Sequence, residues 1–94
     1  MATTTFKFTF TKTNPDSSFF NTTTNGTTLI NAFKTTFGSN FQEITDTNIS
    51  TFAITGITQT QLDDFHNTNM NSFKLMNEYC EANGILCVFS NISL

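Results

Sequence analysis

The residue best suited to acid–base chemistry in this chain is His66, its single histidine. Histidine titrates near neutral pH, and Asp63 precedes it by three positions, a spacing that places both side chains on one face of a helix. Glu78 and Tyr79 form a second polar cluster further along the chain. We therefore take all four as candidate catalytic residues, with His66 as the proton carrier. The alternative is that they are ordinary solvated groups on a helix surface.

Other catalytic and binding chemistries find no support in the sequence. It contains no glycine-rich phosphate loop and no Ser-His-Asp order, and it has neither a Cys-x-x-Cys nor a His-x-x-x-His pair. We therefore predict no metal site and no cofactor. Cys80 and Cys87 are predicted to be reduced, buried thiols that pack as small hydrophobic residues, with a disulfide between them as the alternative.

Composition narrows the class of protein. Only 12% of the 94 residues are charged, and the net charge is −3 with four lysines and no arginine, which argues against binding a phosphate backbone. No apolar run approaches the ~20 residues of a membrane-spanning helix. The first residues lack the charged and apolar regions of a secretory signal. We therefore expect one domain over residues 1–94, cytoplasmic, that binds neither nucleic acid nor a membrane.

A strand near the N-terminus is the clearest structural signal. Over Thr3–Lys12, Phe6, Phe8 and Phe10 alternate with threonine and lysine. Because successive side chains on a strand point to opposite faces, this pattern predicts a β-strand with three rings against a core and polar residues outward.

The rest of the chain divides into two helical and three extended segments. Apolar residues at helical spacing predict a helix over Thr27–Phe37, capped by Asn25 or Thr27 and ended by Gly38. A capping box at Thr58 and Gln61 opens a second helix that runs to Asn83–Gly84. A weak helical stretch over residues 67–71 suggests a kink there. The predicted strands are Phe41–Thr45, Ile49–Ile57 and Ile85–Phe89.

The resulting order, β-α-β-β-α-β, predicts an α+β fold of the ferredoxin-like type. Such a fold has a four-stranded antiparallel sheet with two helices on one face. Two helices cover one face only, so each strand should carry one polar side.

The last strand breaks that pattern and predicts a partner. Leu86 and Val88 lie on the side opposite to the rest of its apolar residues, and a strand that is apolar on both faces is usually buried on both. We predict that Leu86, Val88, Phe19 and Phe20 form an interface, most simply in a two-fold homodimer. For the two adjacent rings Phe19 and Phe20, the alternative is that they pin their loop to the core. The alternative is that the Phe19–Phe20 loop, or the tail at residues 92–94, folds over this side.

Three classes of function follow from these patterns. The first is a small non-enzymatic interaction or assembly module that oligomerises through its sheet. The second is a ferredoxin-like enzyme whose active site, at an interface, uses His66 and nearby carboxylates. The third is a small-ligand binder or sensor with loop 13–26 as a lid, because long loops in compact domains are often functional.

Overall fold

The computed structural model describes residues 3–93 and shows an α+β fold in which helices pack on an antiparallel sheet. This confirms the predicted fold class at that level. The strands and α-helices, in chain order, are β1 Thr4–Lys12, α1 Thr24–Phe37, β2 Phe41–Thr45, β3 Ile49–Ile57, α2 Gln59–Thr68, α3 Met70–Ala82 and β4 Ile85–Ser93.

The sheet has the order β2-β3-β1-β4, and each neighbouring pair is antiparallel. The rings of Phe6, Phe8 and Phe10 lie on the face that the helices cover. Phe6 and Phe10 are buried in the core. Phe8 contacts the rings of Phe33 in α1 and Phe73 in α3. The polar alternation of β1 is therefore confirmed. Thr5, Lys7, Thr9 and Thr11 point to the opposite side, which we call the open face.

The second helical segment is divided in two within the stretch where a kink was predicted, so the described residues form three α-helices rather than the predicted two. The capping box that opens α2 is confirmed: the Thr58 side chain accepts from the Gln61 backbone N–H at 3.2 Å, and Gln61 Oε1 accepts from the Thr58 N–H at 2.8 Å. The division falls at Asn69, which leaves helical geometry (φ −116°, ψ 28°) and whose side chain donates to the Phe65 carbonyl at 2.9 Å. Asparagine competes with helix continuation by this kind of local bond.

Helix α1 begins earlier than predicted, because Thr23 is its cap rather than Asn25 or Thr27. The Thr23 side chain accepts from the Gly26 backbone N–H at 3.0 Å. Several threonines and asparagines in this run can act as caps, so the sequence alone does not select one. A short 3-10 helix at Phe20–Thr22 also lies within the segment predicted to be a loop.

Strand β4 is longer than predicted, and this determines where the C-terminal tail goes. It extends from Ile85 to Ser93 rather than ending at Phe89, because β1 supplies a partner along its whole length, from Lys12 opposite Ile85 to Thr4 opposite Ser93. Residues 92 and 93 therefore continue the sheet and do not fold over the open face. Residue 94 lies outside the described residues.

Helix α1 lies so close to the 3-10 helix that one position requires glycine. Gly26 is buried, and a Cβ atom there would overlap the backbone carbonyl of Phe20. The close approach lets Phe20 enter the core directly before α1 begins.

We therefore expect Gly26→Ala to lower the free energy of unfolding by about 2–3 kcal/mol, since overpacking against backbone forces a shift of the helix. Urea denaturation followed by circular dichroism measures this. The control is Asn31→Ala at an exposed position of the same helix, which should be neutral or slightly stabilising. Equal effects of the two substitutions would show that the close approach is absent.

Candidate functional site

Asp63 and His66 line one groove at the side of the sheet, as their helical spacing suggested. The groove has a volume of about 240 Å³ between α2, α3 and the strands. Its other lining residues are mostly apolar: Phe8, Gln59, Leu62, Phe73 and Phe89.

The polar groups of this groove are not arranged as an acid–base pair. The Asp63 carboxylate accepts a hydrogen bond from Gln59 Nε2 at 2.9 Å. His66 is exposed, its ring centroid lies 4.9 Å from that of Phe73, and it makes no side-chain hydrogen bond to any described residue. The groove can accept an apolar ligand, and a role of His66 as proton carrier stays a prediction.

The other two candidate residues do not line this groove. The Tyr79 hydroxyl donates to the Ser18 backbone carbonyl at 2.7 Å, and its ring centroid lies 5.6 Å from that of Phe20. Glu78 is exposed on α3. Tyr79 thus fixes the loop that follows β1, and the four predicted catalytic residues are not brought together.

The segment predicted as a lid is anchored to the body of the protein. Phe19 and Phe20 are buried in the core, which removes both rings from the surface available to a partner. The Ser17 hydroxyl donates to the Asn83 carbonyl at 2.8 Å, and the Thr13 backbone N–H donates to the Gly84 carbonyl at 2.9 Å. Opening this segment would break these bonds and expose two aromatic rings.

A polar cluster that the sequence did not reveal supports the 3-10 helix from the other side. Ser50 is fully buried, and its hydroxyl lies 2.9 Å from that of Thr45. The Asn21 side-chain amide donates to Ser50 Oγ and Thr45 Oγ1, each at 3.2 Å, and to Glu43. Because its members come from distant parts of the chain, no spacing in the sequence could identify it. Each buried group has a partner, so the cluster is structural.

The open face of the sheet carries the largest set of exposed apolar side chains. Leu86 and Val88 are each 58% exposed there, which confirms that β4 is apolar on both faces. In the pairing of the strands, Val88 lies beside Thr9, Thr9 beside Thr51, and Thr51 beside Ile44. Ile49 completes the exposed apolar set.

Charge is nearly absent from this face. Among the described side chains that the strand pairing places on it, Lys7 is the only charged one. The rest are aliphatic, threonine, serine or glutamine: Thr5, Thr9, Thr11, Gln42, Ile44, Ile49, Thr51, Ala53, Leu86, Val88 and Ser90. Within residues 3–93 neither the Phe19–Phe20 segment nor the tail covers it.

The described part of the chain lacks two further kinds of feature. No group of three or more histidine, cysteine or acidic side chains there could hold a metal ion. No helix over residues 3–93 combines the length and hydropathy needed to cross a membrane.

Comparison with known proteins identifies no relative: no family model matches the chain, and no characterised protein or solved structure matches it.

Both cysteines are free thiols. Cys80 is buried as predicted, whereas Cys87 is only partly buried. Burial raises the pKa of Cys80 from its ordinary value of 9.0 to about 11, and the neighbouring Cys87 contributes to this shift. Burial also raises the pKa of Cys87. Both thiols are therefore protonated, and weakly nucleophilic, at neutral pH.

We expect the Cys80 thiol to make the fold sensitive to alkaline pH. Between about pH 9 and pH 11 the unfolded chain loses this proton while the folded chain keeps it, so the free energy of unfolding falls as pH rises through that window. Urea titrations at pH 7 and pH 10.5 should show that Cys80→Ala has a smaller alkaline loss than the wild type, by about 1 kcal/mol. An equal loss in both proteins would contradict a buried thiol.

Proposed function

We propose that this protein is a non-enzymatic assembly module that associates with a second copy of itself through the open face of its sheet. One observation carries the proposal: a four-stranded sheet whose second face is almost free of charge and displays aliphatic side chains to solvent. Exposed apolar patches rimmed by polar residues commonly mark interaction sites, and Leu86 and Val88 form such a patch beside the threonines of β1.

The lack of charge favours burial of this face in an interface. Desolvating an unpaired charge costs several kcal/mol, and the cores of protein interfaces are depleted in charged residues. Threonine and isoleucine carry no such cost. Lys7 is the exception. It lies on the central strand β1, between Ala53 and Ser90, and its long apolar stem can carry the ammonium group away from this position toward solvent.

The chemistry of the face suits an identical partner. A threonine hydroxyl both donates and accepts a hydrogen bond, so a row of threonines can satisfy itself when it meets its own copy. Thr9 and Thr51 lie side by side on the two central strands, and Ile44 and Val88 lie at the two ends of the same row. A two-fold axis near the centre of the row would bring threonine to threonine and aliphatic to aliphatic. Such isologous contacts are the commonest form of homo-oligomer.

The size of the face is compatible with a weak or moderate dimer. Four strands about 4.8 Å apart and roughly seven residues long, at about 3.4 Å per residue, give a flat area on the order of 450 Å². Two copies then bury on the order of 900 Å², close to the ~1,000 Å² expected of a specific interface.

We also infer that the architecture is a ferredoxin-like fold with a divided second helix. Read from the β4 edge, the strand order is β4-β1-β3-β2 with antiparallel neighbours, and α1 and the α2–α3 pair connect β1 to β2 and β3 to β4. The division at Asn69 is the difference from a ferredoxin-like fold with two helices. A fold of this kind does not by itself imply an activity, so the functional proposal depends on the open face.

A charge placed at the centre of the open face tests the proposal. We expect Thr51→Lys to raise the dissociation constant of the open-face contact about 100-fold, because an unpaired ammonium buried there costs about 3 kcal/mol. The matched control is Thr35→Lys, which makes the same substitution at an exposed position of α1. Sedimentation equilibrium over a range of concentrations measures both variants.

Two results would contradict self-association through this face. The first is a wild-type protein that remains monomeric at tens of micromolar. The second is a Thr51→Lys variant that folds normally by circular dichroism and associates as tightly as the Thr35→Lys control.

A further inference from the structure

The outer edge of β4 differs from the other edge of the sheet. Strand β4 has nine residues, Ile-Leu-Cys-Val-Phe-Ser-Asn-Ile-Ser, without a charged residue or proline. The opposite edge strand, β2, has five residues and includes Glu43. Short length and charge are the usual ways in which proteins protect a sheet edge from pairing with another chain. Edge β2 has both forms of protection, and β4 has neither.

The hydrogen-bond pattern shows which backbone groups of β4 face this edge. The Thr13 N–H donates to the Gly84 carbonyl, directly beyond the pair formed by Lys12 and Ile85. In an antiparallel ladder, hydrogen-bonded and non-hydrogen-bonded pairs alternate. The backbone groups of the even-numbered residues therefore point to β1. Those of Ile85, Cys87, Phe89 and Asn91 point away from the sheet.

We propose that this edge pairs antiparallel with β4 of a second copy, so that two sheets join into one of eight strands. The inference rests on the proposed function, because it concerns the same self-assembly, but it uses a separate surface. The occupant is a second copy because an uncharged strand with alternating free N–H and C=O groups is complementary to itself when reversed.

The side chains of β4 also favour a second copy as the partner, and they do so on both faces of the joined sheet. Leu86 and Val88 are exposed on the open face, and Phe89 is 46% exposed on the helix-covered face, although it packs on Phe8 at 4.9 Å. The register that sets Cys87 opposite Cys87 of the second copy pairs Leu86 with Val88 and Ile85 with Phe89. Every cross-strand pair over residues 85–89 is then apolar.

The two contacts together give a closed tetramer when their two-fold axes intersect. A two-fold axis through an antiparallel strand pair is perpendicular to the sheet, whereas a two-fold axis relating two stacked sheets is parallel to it. Perpendicular two-fold axes that intersect generate a tetramer with two eight-stranded sheets packed back to back.

A backbone substitution tests the edge without changing the open face. Cys87→Pro removes an N–H that points to the edge and leaves the bonds between β4 and β1 in place, since proline is tolerated in edge strands in this orientation. We expect it to raise the dissociation constant of the edge contact at least tenfold and to halve the mass of the assembly in sedimentation equilibrium. The matched control, Cys87→Ala, keeps the N–H and should retain the wild-type mass.

Amide hydrogen exchange of the wild-type protein tests the same contact without any substitution. The amides of Cys87 and Phe89 should exchange at least tenfold more slowly in the assembled protein than at concentrations where it dissociates. Fast exchange of both amides in the assembled protein would overturn the edge pairing, even if the proline variant failed to fold.

The set of variants distinguishes this inference from the proposed function. An assembly that Thr51→Lys weakens and Cys87→Pro leaves intact overturns the edge pairing and supports the open face. The reverse result supports the edge and overturns the open face. Both contacts are supported if each variant loses half of the mass and the double variant is a monomer. A monomeric wild type overturns both contacts.

Discussion

The packing of aromatic rings around Phe33 is the interaction on which the rest of this structure depends. Phe33 lies in the middle of α1 and is fully buried. Its ring centroid lies 4.4–6.2 Å from five others, which come from three strands and the other two helices: Phe8, Phe41, Phe52, Phe65 and Phe73. Phenylalanine brings a large apolar area without a polar atom to satisfy. One side chain thereby joins all three helices to one face of the sheet.

Concentrating the rings on one face leaves the other without cover. The helices are all engaged by the Phe33 cluster, and the segment containing Phe19 and Phe20 also packs into the core. What remains outward is a surface of threonine and aliphatic side chains, ended by the unprotected strand β4. These two surfaces, the open face and the β4 edge, are the ones through which we propose that the protein associates. The groove beside His66 has mostly apolar walls.

Local signals predicted the elements better than they predicted the connections between them. The alternation in β1 and the capping box at Thr58 each involve residues close in sequence, and both were confirmed. The cap of α1 and the length of β4 were predicted wrongly because distant residues decide them. Phe20 and Gly26 fix where α1 begins, and β1 supplies the partners that extend β4. Among the candidate site residues, Asp63 and His66 share a groove because one helix carries both, whereas the direction of Tyr79 depends on Ser18, which lies far away in the chain.

The sequence by itself determined the strand faces, the fold class and the scarcity of charge. Periodicity and composition can be read from the chain without knowing which residues pack together. Only the tertiary structure decided which apolar residues are buried and which remain exposed. Phe19 and Phe20, which the sequence offered as an interface, are core residues, whereas Leu86 and Val88 remain exposed. Burial depends on what lies across space from a side chain, and in this protein the helices lie across from one face of the sheet only.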